Sequence, residues 1–242
     1  MESHIKTFDH ALAALIDHTL LKPESSRAAI VQLCAEAREF QFAAVCVLPL
    51  WLPLVCEELN GMPVKPCTVV GFPLGGSITE AKACETHYAL RSGAREIDMV
   101  IALPALKDKR YKAVASDIAA VVRLAGKDCP VKVILETCLL TDEEKRTACK
   151  IAVDAGAGFV KTSTGLSTGG ATVQDIRLMR LAVGDHIGVK ASGGIRTIEQ
   201  ARSFIEAGAN RLGTSAGVAL VNFSCQARKN VIPRRDEEDA RR

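Results

Sequence analysis

Residues 141–165 read TDEEKRTACKIAVDAGAGFVKTSTG. Thr141 followed by three acids is the opening of a helix: a hydroxyl cap, then negative charge in the first turn. The helical pattern closes at Gly156. Phe159 and Val160 then begin a short buried strand, predicted over Phe159–Thr162, and a loop of Thr, Ser and Gly follows. Lys161 stands at the join, where burial makes an ammonium group expensive.

The same helix–Ala/Gly–strand pattern recurs in SGAREID (92–98) and AGANRLG (207–213). TIEQARSFIEAGA (197–209) repeats the grammar, with Thr197 as cap and Gly208 as stop. SSRAAIVQLCAEAREF (25–40) places Ile30, Leu33, Cys34 and Ala37 on one helical face, with Ser25 or Ser26 as cap. The other strands are expected at Ala14–His18, Ala43–Leu48, Lys65–Gly71, Glu96–Ala102, Val131–Thr137, Gly188–Ala191 and Arg211–Gly213. Several are near-continuous apolar runs, as parallel strands covered on both faces require. Strand–helix units repeated in this way wind into an open sheet or close into a barrel. Eight units in about 240 residues favour a single-domain (β/α)8 TIM barrel. The barrel is expected over residues 1–222, with residues 223–242 as a charged, solvated tail.

Composition narrows the function classes. Nearly half of the 242 residues are apolar, enough for a large core, and the formal charge of +3 is too mild to argue for nucleic acid or an anionic membrane. The nine cysteines are odd in number and show no C-x-x-C spacing, so neither a disulfide framework nor a zinc site is suggested. The longest apolar run, Phe42–Cys56, is too short for a membrane span and is broken by Pro49 and Pro53. MESHIKTFDH is too polar for a signal peptide. A cytoplasmic protein without a metal centre is the expectation.

In such a barrel, chemistry gathers at the C-terminal ends of the strands. Those ends carry Asp17, Cys46, Asp98, Glu136, Lys161, Lys190 and the pair Gly213–Ser215. Two lysines on adjacent strands should disfavour each other's charge, and desolvation acts in the same direction. One of them should then present a free amine, able to attack a carbonyl and form an iminium ion. Which of the two does so is not decided by the residues. Asp98 can stabilise the ammonium groups or move a proton between them; Glu96 is expected on the opposite side of that strand. Asp17 is expected to cap a turn in support. Cys46 is expected to pack in the core. The loops ASGGIRT and GTSAG follow the last two strands, where barrels commonly hold phosphate. Gly193 and Gly194 permit close backbone approach, and Ser215 adds a donor.

These residues fall in motifs that resemble a known family. IDHTLLKP, AAVCVLP, VVGFPLGGSITEAK, EIDMVI, KVILET, FVKTSTGLSTGGAT and VKASGGIRT are similar, in register from Ile16 to Gly217, to the motifs of the deoxyribose-phosphate aldolases. The resemblance implies a (β/α)8 fold and a class I aldolase. The implied reaction is reversible cleavage of 2-deoxy-D-ribose 5-phosphate to D-glyceraldehyde 3-phosphate and acetaldehyde, without metal or organic cofactor. It assigns the Schiff base to Lys161, pKa control and proton transfer to Lys190, and a place in the proton relay to Asp98. Thr164 would contact the sugar, and Gly165, Gly193, Gly194 and Ser215 would surround the phosphate. Where some members carry a lysine after TSTG, this chain has Leu166, which leaves backbone amides, helix dipoles or Arg196 to meet the phosphate charge. Competing readings are an aldolase acting on a ketone donor, a sugar-phosphate isomerase on the same barrel, and a non-catalytic barrel. The partners expected are small phosphosugar and aldehyde substrates, and the assembly a homodimer.

Overall fold

The computed structural model describes residues 8–222. Eight parallel strands close on themselves in sequence order. They are β1 Ile16–Leu20, β2 Ala44–Val47, β3 Lys65–Val70, β4 Glu96–Val100, β5 Val131–Ile134, β6 Phe159–Lys161, β7 Gly188–Ser192 and β8 Arg211–Thr214. Around them lie α1 His10–Ala13, α2 Arg27–Phe40, α3 Leu52–Glu58, α4 Thr79–Arg91, α5 Leu103–Lys107, α6 Tyr111–Ala125, α7 Asp142–Asp154, α8 Val173–Val183 and α9 Ile198–Glu206. A further helical segment covers 217–222. The tail expected over 223–242 lies outside the described residues.

The caps fall where the hydroxyls predict. Thr141 accepts from the Glu144 amide, while the Glu144 side chain accepts from the Thr141 amide. Thr197 and Gln200 form the same reciprocal box at the start of α9, and Ser26, rather than Ser25, caps α2. The apolar layer between strands and helices forms one continuous core from Leu12 to Val221, and helices α2, α6 and α9 turn their apolar faces into it.

Boundary shifts decide where the polar residues sit. Ala13 and Ala14 belong to the end of α1, so β1 starts later than expected and Asp17 is its second residue. β5 stops at Ile134, because Glu136 takes a left-handed backbone (φ 57°) that a strand cannot continue through.

Candidate active site

Strand register brings the ionisable side chains together. Asp98 on β4 lies directly across from Lys132 on β5, and Lys161 on β6 lies directly across from Lys190 on β7. All four side chains are buried. One carboxylate oxygen of Asp98, Oδ2, accepts from both Lys161 (2.8 Å) and Lys190 (2.7 Å). Its other oxygen, Oδ1, accepts from Lys132 at 2.7 Å. Lys190 also donates to Asp17 at 2.5 Å, Lys132 also meets Glu96 at 2.7 Å, and Arg211 bridges Asp17 (2.6 Å) and Glu96 (3.1 Å). Two small residues make this crowding feasible. Gly188 leaves room for the Phe159 ring, over which the Arg211 guanidinium sits at 5.5 Å, and Gly213 leaves room for the Lys190 stem.

The formal charges distinguish the two candidate nucleophiles. Asp17, Glu96 and Asp98 carry three negative charges, and Lys132, Lys190 and Arg211 carry three positive ones. Each of those three cations touches at least two of the carboxylates. Lys161 is the fourth cation, and among the described residues Asp98 is its sole acidic partner. The cluster is therefore balanced when Lys161 is a neutral amine and carries excess positive charge when it is an ammonium. In a low-dielectric interior an excess charge is the costly state. Burial alone would lower the pKa of Lys190, but Asp17 and Asp98 outweigh it and hold the group above its ordinary value. Burial alone would raise Asp98 and Asp17. Lys132, Lys161 and Lys190 instead hold Asp98 well below the usual carboxylate range, and Lys190, Lys132 and Arg211 do the same for Asp17. Of the two lysines, Lys190 is therefore held up rather than depressed.

Above this cluster opens a cavity of about 260 Å³. Lys161 lines it; Lys190 and Asp98 do not. Thr164, Gly165, Gly193, Gly194 and Ser215, all expected around substrate, line it as well. Gly193 is held where the β6 and β7 loops touch: an added Cβ would come 2.9 Å from the Gly170 Cα, and its carbonyl accepts from the Ala171 amide. A Cβ at Gly194 would meet nothing within 4 Å, so this backbone faces open space. Thr164 is more committed than expected. Its hydroxyl donates to the buried Glu136 at 2.5 Å and accepts from the Leu166 amide at 3.1 Å.

Several expectations need correction. Asp98, Lys190 and Asp17 lie inside their strands rather than at the ends, and Lys161 alone is terminal. Asp17 caps no turn; its carboxylate points into the barrel. Glu96 shares the inward face of Asp98, because residues two apart on a strand point the same way. Lys132 and Arg211 were missed altogether. Cys46 does pack in the core, in register with Cys67. These two thiols and Asp98 bring ligand atoms within 4.8 Å of one another, but the Lys132 ammonium, 3.4 Å from Cys67 and 2.7 Å from Asp98, already supplies the cation there.

Gly213 provides a test of this packing. A methyl at that position would lie 2.9 Å from Lys190 Cε and 3.1 Å from Ser192 Cβ. Gly213→Ala is therefore expected to displace the Lys190 ammonium and to lower kcat by about 10- to 100-fold, with little change in KM. Steady-state kinetics beside a thermal melt check this; a fall in stability with kcat intact would show that the glycine serves packing alone.

Barrel and site together define an aldolase of the lysine-bearing kind. More particularly, the model of the DeoC/LacD family aldolases matches residues 11–226, and the chain belongs to that family. It is 57% identical over 213 residues to the deoxyribose-phosphate aldolase of Halalkalibacterium halodurans, covering 88% of this chain and 95% of the relative. It is also 57% identical over 211 residues to the enzyme of the same name from Bacillus subtilis, covering 87% and 95%. Among solved structures, the deoxyribose phosphate aldolase of Aeropyrum pernix, described as a tetramer, superposes with a TM-score of 0.83 at 34% identity, covering 90% of this chain and 93% of that one. No helix among the described residues is long and apolar enough to cross a membrane.

Proposed function

We propose that this aldolase reversibly cleaves 2-deoxy-D-ribose 5-phosphate to D-glyceraldehyde 3-phosphate and acetaldehyde, with Lys161 as the Schiff-base nucleophile. The observation that carries the assignment is the shared Asp98 oxygen within a cluster that balances only when Lys161 is neutral. The Lys161 amine attacks C1 of the open-chain sugar to give a carbinolamine, which loses water to the iminium ion. The iminium then accepts the electron pair of the C2–C3 bond as the C3 hydroxyl gives up its proton. C3 becomes the aldehyde carbon of glyceraldehyde 3-phosphate, and an enamine remains on Lys161. Protonation at C2 and attack by water at C1 release acetaldehyde and restore the amine.

Asp98 and Lys190 are the groups next to Lys161 that can carry its proton, directly or through water. Asp17 supports them by holding Lys190. Thr164 retains one lone pair for the sugar, while Gly165, Gly193, Gly194 and Ser215 surround the phosphate. The proposal extends to a homodimeric, cytoplasmic enzyme. Eight cysteines among the described residues are free thiols, which suits a reducing compartment.

Lys190 is tested by two substitutions. Lys190→Leu removes one of the two side chains that share the Asp98 oxygen and leaves the cluster one positive charge short. Activity at pH 7 should fall by about 100-fold and recover in part at alkaline pH. Lys190→Arg preserves the balance but cannot release a proton, so the acid limb of the pH–rate curve should stay in place while kcat drops. An unmoved acid limb in the leucine variant would refute control of Lys161 by the Lys190 charge.

A further inference from the structure

The cavity above Lys161 has an electrostatic asymmetry that the resemblance does not account for. No Asp or Glu lines it, yet two exposed cations do: Lys22 after β1 and Arg196 after β7. Neither forms a salt bridge among the described residues. This contrasts with Lys132, Lys161 and Lys190 below, each of which is held by carboxylate. Lys22 does not hang from a loose loop. Its carbonyl accepts both the backbone amide and the hydroxyl of Ser25, at 3.2 and 2.7 Å, which closes a tight turn ahead of α2.

The closed barrel puts that turn beside the phosphate loops. β1 pairs with β8, with His18 level with Thr214, so the chain leaving β1 rises next to Ser215. Thr214 in turn donates to the Ile195 carbonyl and ties the β8 loop to the Gly193–Arg196 segment. The β6 loop contributes no charge here, since Leu166 presents a half-exposed apolar side chain to the same cavity. An unpaired ammonium facing a cavity free of acids has one favourable use, which is to meet an anion.

We propose that Lys22 is a specificity-determining residue that recognises the phosphate dianion of the substrate, opposite Arg196. The inference rests on the functional reading above and assigns it a cation from a strand that the sequence motifs do not mark for phosphate. Lys22 contacts the non-reacting end of the sugar, so it acts on binding rather than on bond cleavage. Its side chain is exposed.

The test uses the full-length protein and the variants Lys22→Ala and Lys22→Arg. In the alanine variant KM for 2-deoxy-D-ribose 5-phosphate is expected to rise about tenfold with kcat nearly unchanged. The ratio of kcat/KM for the phosphorylated over the unphosphorylated sugar should fall by the same factor, and the arginine variant should restore most of it. Calorimetric binding of inorganic phosphate should weaken in parallel and become less dependent on salt. An unchanged ratio, or equal damage to both sugars, would overturn the role of Lys22. If the wild-type protein does not cleave the phosphorylated sugar, the functional reading falls, and the phosphate titrations of wild type and alanine variant still decide the anion site.

Discussion

Lys161→Leu is expected to lower kcat by on the order of 10⁴-fold or more while leaving the unfolding midpoint unchanged or raised. The two halves of this result have one cause. Without Lys161 the buried cluster keeps three carboxylates against Lys132, Lys190 and Arg211, and every member retains a partner. Loss of the side chain removes an amine that the charge balance of the cluster does not require and replaces it with apolar volume, which costs the fold little. The same loss removes the sole amine of the cluster that reaches the cavity, so no covalent intermediate can form. Kinetics on the variant, with circular dichroism melts alongside, check both halves. A strongly destabilised variant would show that Lys161 is a structural counter-ion.

Asp98→Leu should do the reverse to the fold. It removes the carboxylate shared by Lys132, Lys161 and Lys190 and leaves Asp17 and Glu96 to balance the charges of Lys132, Lys190 and Arg211. Stripping a buried charge of its partner costs about 3–5 kcal/mol, so denaturant unfolding at pH 7 should shift by that amount and activity should be lost with it. Asp98→Asn, which keeps the volume, should lose most of the same stability. The pH dependence follows from the direction of the carboxylate shifts. Asp98 and Asp17 are held below the ordinary value of 3.8 in the folded state. Their contribution is complete above that pH and is lost as the pH falls from 3.8 toward their folded values. The wild type should therefore lose stability across that acid window, and the Asp98 variants should lose less there because one of the two groups is gone. Variants as stable as the wild type would mean that the cluster is not held by charge.

Much of this arrangement is legible in the residues, because the signals are local. Thr141 and Thr197 announce helix starts, and the Ala/Gly turns announce the strands that follow. A lysine after Phe-Val marks Lys161. Lys132 carries the same kind of signal, a charge inside the apolar run Val131–Ile134, but it lies within the strand, and attention to strand ends passes over it. Its partner Asp98 is 34 residues away, and only the β4–β5 register brings the two together. Arg211 opens β8 and reaches Asp17 across 194 residues of chain. The choice between Lys161 and Lys190 has the same non-local character. It depends on how many carboxylates each ammonium touches, a property of the closed barrel that no single stretch contains.

The central claim is that Lys161, and not Lys190, forms the covalent intermediate. Incubation with acetaldehyde and sodium borohydride, followed by peptide mass mapping, tests it most directly. Reduction of the iminium should leave one ethyl group on the peptide that contains Lys161, and the Lys161→Leu variant should take up none. An ethyl group on Lys190 with Lys161 unmodified would contradict the account.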